Sequence, residues 1–254
     1  MRYPIFFLAH GSPMNAIQEN DYTLSLSHFF REKQYMPRAI LMLSAHYTSR
    51  GKTAISTSNK QIYDFYGFPK ELSSCIYQTP PHEDIAQELL SFLPDCILDA
   101  SWWVDHGAWS PLIHIFPEAN IPVVQLSIDM SMSHEDMFSF WERLRPLREQ
   151  GFLILWSGNI VHNLWMIDAN PLSATPPSWA YEWDRVVKKS LIEHAESVLL
   201  SLSVPQIAEP TGEHIAPLYY LLGARYPDEE VVSLYDGWEH GNLSLFTFWY
   251  GVEE

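Results

Sequence analysis

Apolar residues in this chain gather into short, mostly apolar runs, and between the runs they recur at helical spacing. Residues 5–9, 39–44, 123–128 and 152–157 are runs of this kind, rich in β-branched and aromatic side chains. Each is too short for a buried helix and predicts a strand covered on both faces. Residues 83–93 carry the helical period and stop at Pro94, while 134–149 follow Ser133, a good N-cap, with Glu135 and Asp136 in the first turn. Further helices are expected over 179–202 and from about 215 to 223. The aromatic alternation of 244–250 reads as a last strand closing an edge of the sheet. Strand and helix in alternation predict an α/β fold: a single domain over residues 1–254, built on a mostly parallel central sheet with helices on both faces.

Composition narrows the class. A chain of 254 residues that is 47% hydrophobic can bury a large core, and Pro-rich joints such as Thr79-Pro80-Pro81 and Thr175-Pro176-Pro177 mark loops rather than linkers. Acidic residues outnumber basic ones by 31 to 15, for a net charge of −16. Nucleic acid is excluded as a partner, because phosphate binding needs concentrated positive charge. The same field attracts divalent cations and works mildly against anionic substrates. With only Cys75 and Cys96, and an N-terminal apolar run broken at His10, the expectation is a reduced cytoplasmic setting with no membrane span. Nothing in the sequence sets the oligomeric state.

Histidines carry the chemistry. His10 stands just past the first strand, ahead of a turn at Gly11-Ser12-Pro13; His46 follows the second run, and His162 follows the fourth beyond Gly158-Asn159. In an open parallel sheet the carboxyl ends of the strands converge on one crevice, so these three meet in space. From the start of the last helix either Glu213 or His214 can complete the set. His106, between Asp105 and the indoles of Trp102, Trp103 and Trp109, suits proton transfer or a hydrogen bond to a bound oxygen, with Asp105 holding its ring. An imidazole-rich site favours one transition-metal ion, and tetrahedral Zn(II) and open-sided Fe(II) both fit.

Five motifs occur together and in order: His10-Gly11-Ser12-Pro13, Ser44-Ala45-His46, Asp105-His106-Gly107-x-Trp109, Ser157-Gly158-Asn159-x-Val161-His162-Asn163 and Glu213-His214-x-x-Pro217-Leu218. In this register the chain resembles the class III extradiol ring-cleavage dioxygenases of the LigB-like superfamily, in the branch of the 4,5-DOPA dioxygenases, from residue 4 to about 250. That resemblance implies a catechol substrate and O₂, a single non-haem Fe(II), with Zn(II) able to take its place in purified protein, and no organic cofactor. It implies His10, His46 and His214 as metal ligands, where other LigB-like enzymes use a glutamate third. His162 would accept a catechol proton and return it, or close the coordination sphere itself, and His106 would steady the oxygen; the product is a semialdehyde.

Two other classes fit the residues. A zinc hydrolase could use the same histidines to activate water. A non-enzymatic metal or ligand binder is the third, although it has no need of an acid/base pair. Trp109, Tyr47 and Trp165 are aromatic enough to sandwich a ring, and the loop over residues 63–69 is dense enough in aromatics to wall a pocket.

Overall fold

The computed structural model describes residues 2–170 and 173–251. Its strands are β1 (Ile5–Ala9), β2 (Ala39–Ser49), β3 (Ala54–Ser56), β4 (Ile97–Asp99), β5 (Val123–Asp129), β6 (Phe152–Gly158), β7 (Glu230–Tyr235), β8 (Trp238–Glu239), β9 (Leu243–Ser244) and β10 (Thr247–Gly251). The helices are α1 (Asp21–Lys33), α2 (Lys70–Ser73), α3 (Glu83–Phe92), α4 (His106–Ile115), α5 (His134–Glu142), α6 (Ser178–Ile192), α7 (Glu196–Ser201) and α8 (Ala216–Ala224). Eight strands form one sheet in the order β4-β3-β5-β2-β6-β1-β10-β7. The inner run β5-β2-β6-β1 is parallel throughout, and antiparallel pairs flank it. The expected α/β architecture is the one observed.

Side-chain alternation explains the layers. Ile5, Phe7, Leu41, Leu43, Ile154 and Trp156 point to one face, where they meet Trp141 of α5, Val187 of α6 and Tyr220 of α8. Their neighbours Phe6, Leu8, Ile40, Met42, Leu153 and Leu155 point to the other, against Leu26 and Phe30 of α1 and Trp109 of α4. A strand covered on both sides can be apolar at every position, which is why these runs do not alternate.

Several elements differ from the sequence-based expectation. The helix expected over 179–202 is two, α6 and α7, separated where His194 takes φ 51°; a left-handed residue cannot continue a right-handed helix. The one expected over 134–149 is helical to Glu142 and then tightens into a 3-10 segment, Arg145–Gln150, with Pro146 in its first turn. Its N-cap is as expected: Ser133 and Asp136 form a reciprocal capping box. The last strand does not close an edge, because β7 pairs outside it. β7 is missed by hydropathy since it is only half-buried.

Helices α5 and α8 touch at Gly223, where a Cβ would stand 2.0 Å from the Phe138 carbonyl oxygen. Neither backbone can yield without parting the helices. Gly223→Ala is therefore expected to destabilise the protein by about 1–3 kcal/mol, seen as a lower urea midpoint at unchanged m-value. An unaltered midpoint would show that the packing relaxes freely. No helix among the described residues is long and apolar enough to cross a membrane.

Candidate metal centre

The carboxyl ends of β1, β2 and β6 each deliver a histidine, and local backbone features decide where it points. After β1, Gly11 adopts φ 58°, which glycine tolerates best, and Ser12 caps the 3-10 turn Pro13–Ala16. The turn is fastened by Glu239, which accepts the Ser12 N–H at 2.7 Å, and His10 is left buried at the strand end. His46 does not follow β2, as expected from sequence, but lies within it. Pairing with β5 steps from Leu43 opposite Leu126 to Thr48 opposite Ile128, so five residues on β2 match two on β5. The surplus bulges outward and carries His46 into the crevice.

His162 and His214 arrive together. The loop after β6 donates Asn159 N–H to the His214 carbonyl and His162 N–H to the Ala208 carbonyl, both at 2.8 Å. Gly158 is needed at this crossing, because a Cβ there would lie 2.2 Å from the His214 oxygen. His106 opens α4, with Asp105 as its N-cap.

All five sequence-selected histidines come together: the rings of His46, His106, His162 and His214 have centroids 5.0, 5.8, 6.2 and 5.3 Å from that of His10. His162 and His214 stack 3.5 Å apart, nearly parallel. One ligand atom from each of His10, His46 and His214 fits within a 4.8 Å cluster.

Hydrogen bonding at the outer nitrogens sets the tautomers. Ser157 Oγ directs its single proton to the Gly107 carbonyl at 2.5 Å, so it accepts from His10 Nδ1 at 3.0 Å and leaves a lone pair on His10 Nε2. His214 Nδ1 donates to Glu213 Oε1 at 3.1 Å. Its Nε2 is buried with no hydrogen-bond partner. His46 presents Nδ1 to Asp64 Oδ2 at 3.5 Å and Nε2 to His10 Nε2 at 3.3 Å.

His10 Nε2 carries a lone pair and His46 Nε2 stands 3.3 Å from it, a spacing that a shared cation fits. Two nitrogens sharing a metal through bonds of ~2 Å lie roughly 3 Å apart. The orphaned His214 nitrogen points to the same requirement, so the donor set fits a divalent transition metal. Either Glu213 or His214 was open from sequence; the geometry turns His214 inward and puts Glu213 behind it. Glu213 occurs in none of the candidate clusters found among the described residues.

Electrostatics agree with neutral ligands. Burial, then repulsion among the imidazoles, holds His10 and His214 well below the usual histidine range. His46 falls to about 3 through burial and His106, and His162 to about 4, chiefly through burial. Neutral imidazole is the form that ligates metal or accepts a proton.

Asp64 is the functional residue that sequence reading missed. Its Oδ1 accepts the His106 backbone N–H at 3.0 Å and stands 2.9 Å from His106 Nδ1, too far off the ring's donor axis for a full hydrogen bond. Its other oxygen faces His46. Burial opposes its ionisation, yet His106 and His46 hold Asp64 below the ordinary carboxylate range. The expected partner, Asp105, does not hold the imidazole: it is fully buried, takes Ser44 Oγ at 2.6 Å and Gln125 Nε2 at 2.7 Å, and is pushed up to about 6 by burial and by Asp64.

The indole wall is also corrected. Trp102 stacks on Tyr47 at 4.7 Å and Trp109 is fully buried, donating to the Ile62 carbonyl, so both support the frame. Trp165 is exposed. The ring found against His106 is Phe65, edge-on at 5.7 Å, from the 63–69 loop.

Comparison with known proteins adds the family. The family model for the catalytic LigB subunit of aromatic ring-opening dioxygenase matches residues 4–241. The 4,5-DOPA dioxygenase extradiol of Escherichia coli (strain K12) is 37% identical, over 97% of this chain and 94% of that protein. The protein of the same name from Beta vulgaris is 32% identical, over 96% and 94%. A crystal structure of an uncharacterized protein from Escherichia coli K12 superposes with a TM-score of 0.83 at 34% identity, covering 98% of this chain and all of that one. With these matches, and with the histidine crevice where the sheet's topology demands it, the chain belongs to the LigB family of aromatic ring-opening dioxygenases and is an extradiol dioxygenase.

Proposed function

We propose that the protein opens a catechol ring beside its diol, using O₂ and one divalent metal held by His10, His46 and His214. The observation that carries the reading is that His10, His46 and His214 bring ligand nitrogens within 4.8 Å of one another while Ser157, Asp64 and Glu213 occupy or face outer nitrogens. Carboxylate and hydroxyl partners of this kind fix ring orientation and raise ligand basicity.

Fe(II), held by His10, His46 and His214, would supply open positions for the diol and O₂ and a path for electron density between them. The protein's own groups do the rest. His162, neutral through burial, accepts a proton from a catechol hydroxyl and later returns it to the product. His106 lies 4.0 Å from His46 ring to ring, with Asp64 beside its Nδ1, and offers a hydrogen bond to the reacting oxygen. Phe65 packs edge-on against His106 at the side of the crevice. The product is a ring-opened semialdehyde.

Anaerobic reconstitution with Fe(II) or Zn(II), followed by oxygen uptake with DOPA, 4-methylcatechol and protocatechuate, tests the proposal. Uptake matched by a yellow product, restored by Fe(II) and not by Zn(II), is the expected result. Activity restored by Zn(II) alone, without oxygen consumption, would move the reading to a hydrolase.

A further inference from the structure

Between Leu43 and Thr48 the register of β2 with β5 is broken, so the backbone of the bulge must be held by other groups. His46 N–H donates to Ser44 Oγ at 3.2 Å, and the Ser44 hydroxyl donates in turn to Asp105 Oδ1 at 2.6 Å. Ser44 and Asp105 are both fully buried. Asp105 Oδ1 also accepts Ala108 N–H at 3.2 Å as the N-cap of α4, while Oδ2 accepts Gln125 Nε2 at 2.7 Å and Trp102 Nε1 at 3.3 Å. Capping by itself needs one acceptor, which serine supplies as well as aspartate. The second oxygen and the reach to Ser44 are surplus to the helix.

The start of α4 lies directly on the bulge: a Cβ on Gly107 would stand 2.5 Å from Ser44 Oγ and 2.8 Å from His46 Cδ2. The Gly107 carbonyl accepts from Ser157 Oγ, the partner of His10 Nδ1. His106 is the first residue of the same helix. The turn that Asp105 caps is thereby connected to three imidazoles, those of His10, His46 and His106.

We infer that Asp105 is a positioning residue for the metal centre. Through Ser44 it fixes the bulge that presents His46, and through the first turn of α4 it fixes His106 and the carbonyl that orients Ser157 behind His10. The inference rests on the metal set proposed above. A buried, fully satisfied network of this kind narrows the orientations open to the ligand rings before any ion arrives.

The test measures Zn(II) affinity by competition with a chromophoric chelator, and hydrogen exchange of the His46 amide in metal-free protein, for wild type, Ser44→Ala, Asp105→Ser and Asp105→Asn. Asp105→Ser keeps an acceptor for the cap but cannot reach Ser44, and Ser44→Ala breaks the same link from the other end with the cap untouched. Both are expected to bind Zn(II) roughly 10–100-fold more weakly and to exchange the His46 amide faster. Asp105→Asn keeps the oxygen that serves Ser44 and Ala108, its amide meeting a turned-over Gln125 side chain, and should stay near wild type in both readouts. Gly223→Ala is the control for lost stability: it should lower the urea midpoint and move neither readout. Wild-type affinity in Asp105→Ser, or an Asp105→Asn as weak as Asp105→Ser, overturns the positioning role and leaves the metal set standing. If Asp105→Ser does not fold, Ser44→Ala decides alone, and wild-type affinity there overturns the inference. A wild-type protein that binds no Zn(II) overturns the metal set together with it.

Discussion

His10→Ala is expected to purify without stoichiometric metal and to consume no oxygen with any catechol. Three nitrogens form the proposed set, and His10 is the one whose orientation is fixed by the hydroxyl of Ser157 and the tight turn at Gly11. Loss of a partner behind a ligand typically costs 10–100-fold in affinity or activity, so loss of the ligand itself should exceed roughly a hundredfold. Ser157→Ala provides the graded comparison: it keeps the imidazole but frees the ring, and should fall within that 10–100-fold range. Metal content after dialysis, read with circular dichroism to confirm folding, separates the two. A His10→Ala protein that retains one metal per chain and full activity would remove His10 from the set.

His162→Ala is expected to keep its metal and lose roughly 10²- to 10⁴-fold in kcat, the usual worth of a positioned acid/base group. The expectation distinguishes two roles that sequence left open, ligand and proton carrier. In the structure His162 does not join the cluster of His10, His46 and His214; it stacks on the His214 ring, while a separate cluster groups it with Glu209 and His214. His162→Phe preserves a flat ring against His214 and serves as the control for lost packing. If both variants lose metal in proportion to activity, His162 is a ligand and another group must move the proton. If kcat is unchanged in both, it does neither.

The parts of this protein that follow from short stretches of sequence were legible. The four inner strands announce themselves because burial on both faces makes them mostly apolar along their length, and Ser133 marks its helix because capping depends on residues three apart. Marginal elements were not: β3, β4 and β7 are short or half-buried, and each forms because a neighbouring strand offers it a ladder. Helix α4 holds Gly107 and Pro111 in ten residues, a poor helix by propensity that tertiary packing overrides.

The site divides along the same line. His10, His46 and His162 were found because strand ends converge wherever an open parallel sheet forms, while His214 was read from a helix start and His106 from its Asp and Trp neighbours. Sequence by itself therefore determined which imidazoles meet. Only the tertiary structure decided which nitrogen each one turns inward, that Asp64 rather than Asp105 faces His106, and that a bulge rather than a loop delivers His46. Those outcomes depend on pairs such as His10 with Ser157 and His46 with Asp64. Their members lie far apart in the chain or across a loop, so no spacing rule links them; they are fixed by the close approach that packing imposes.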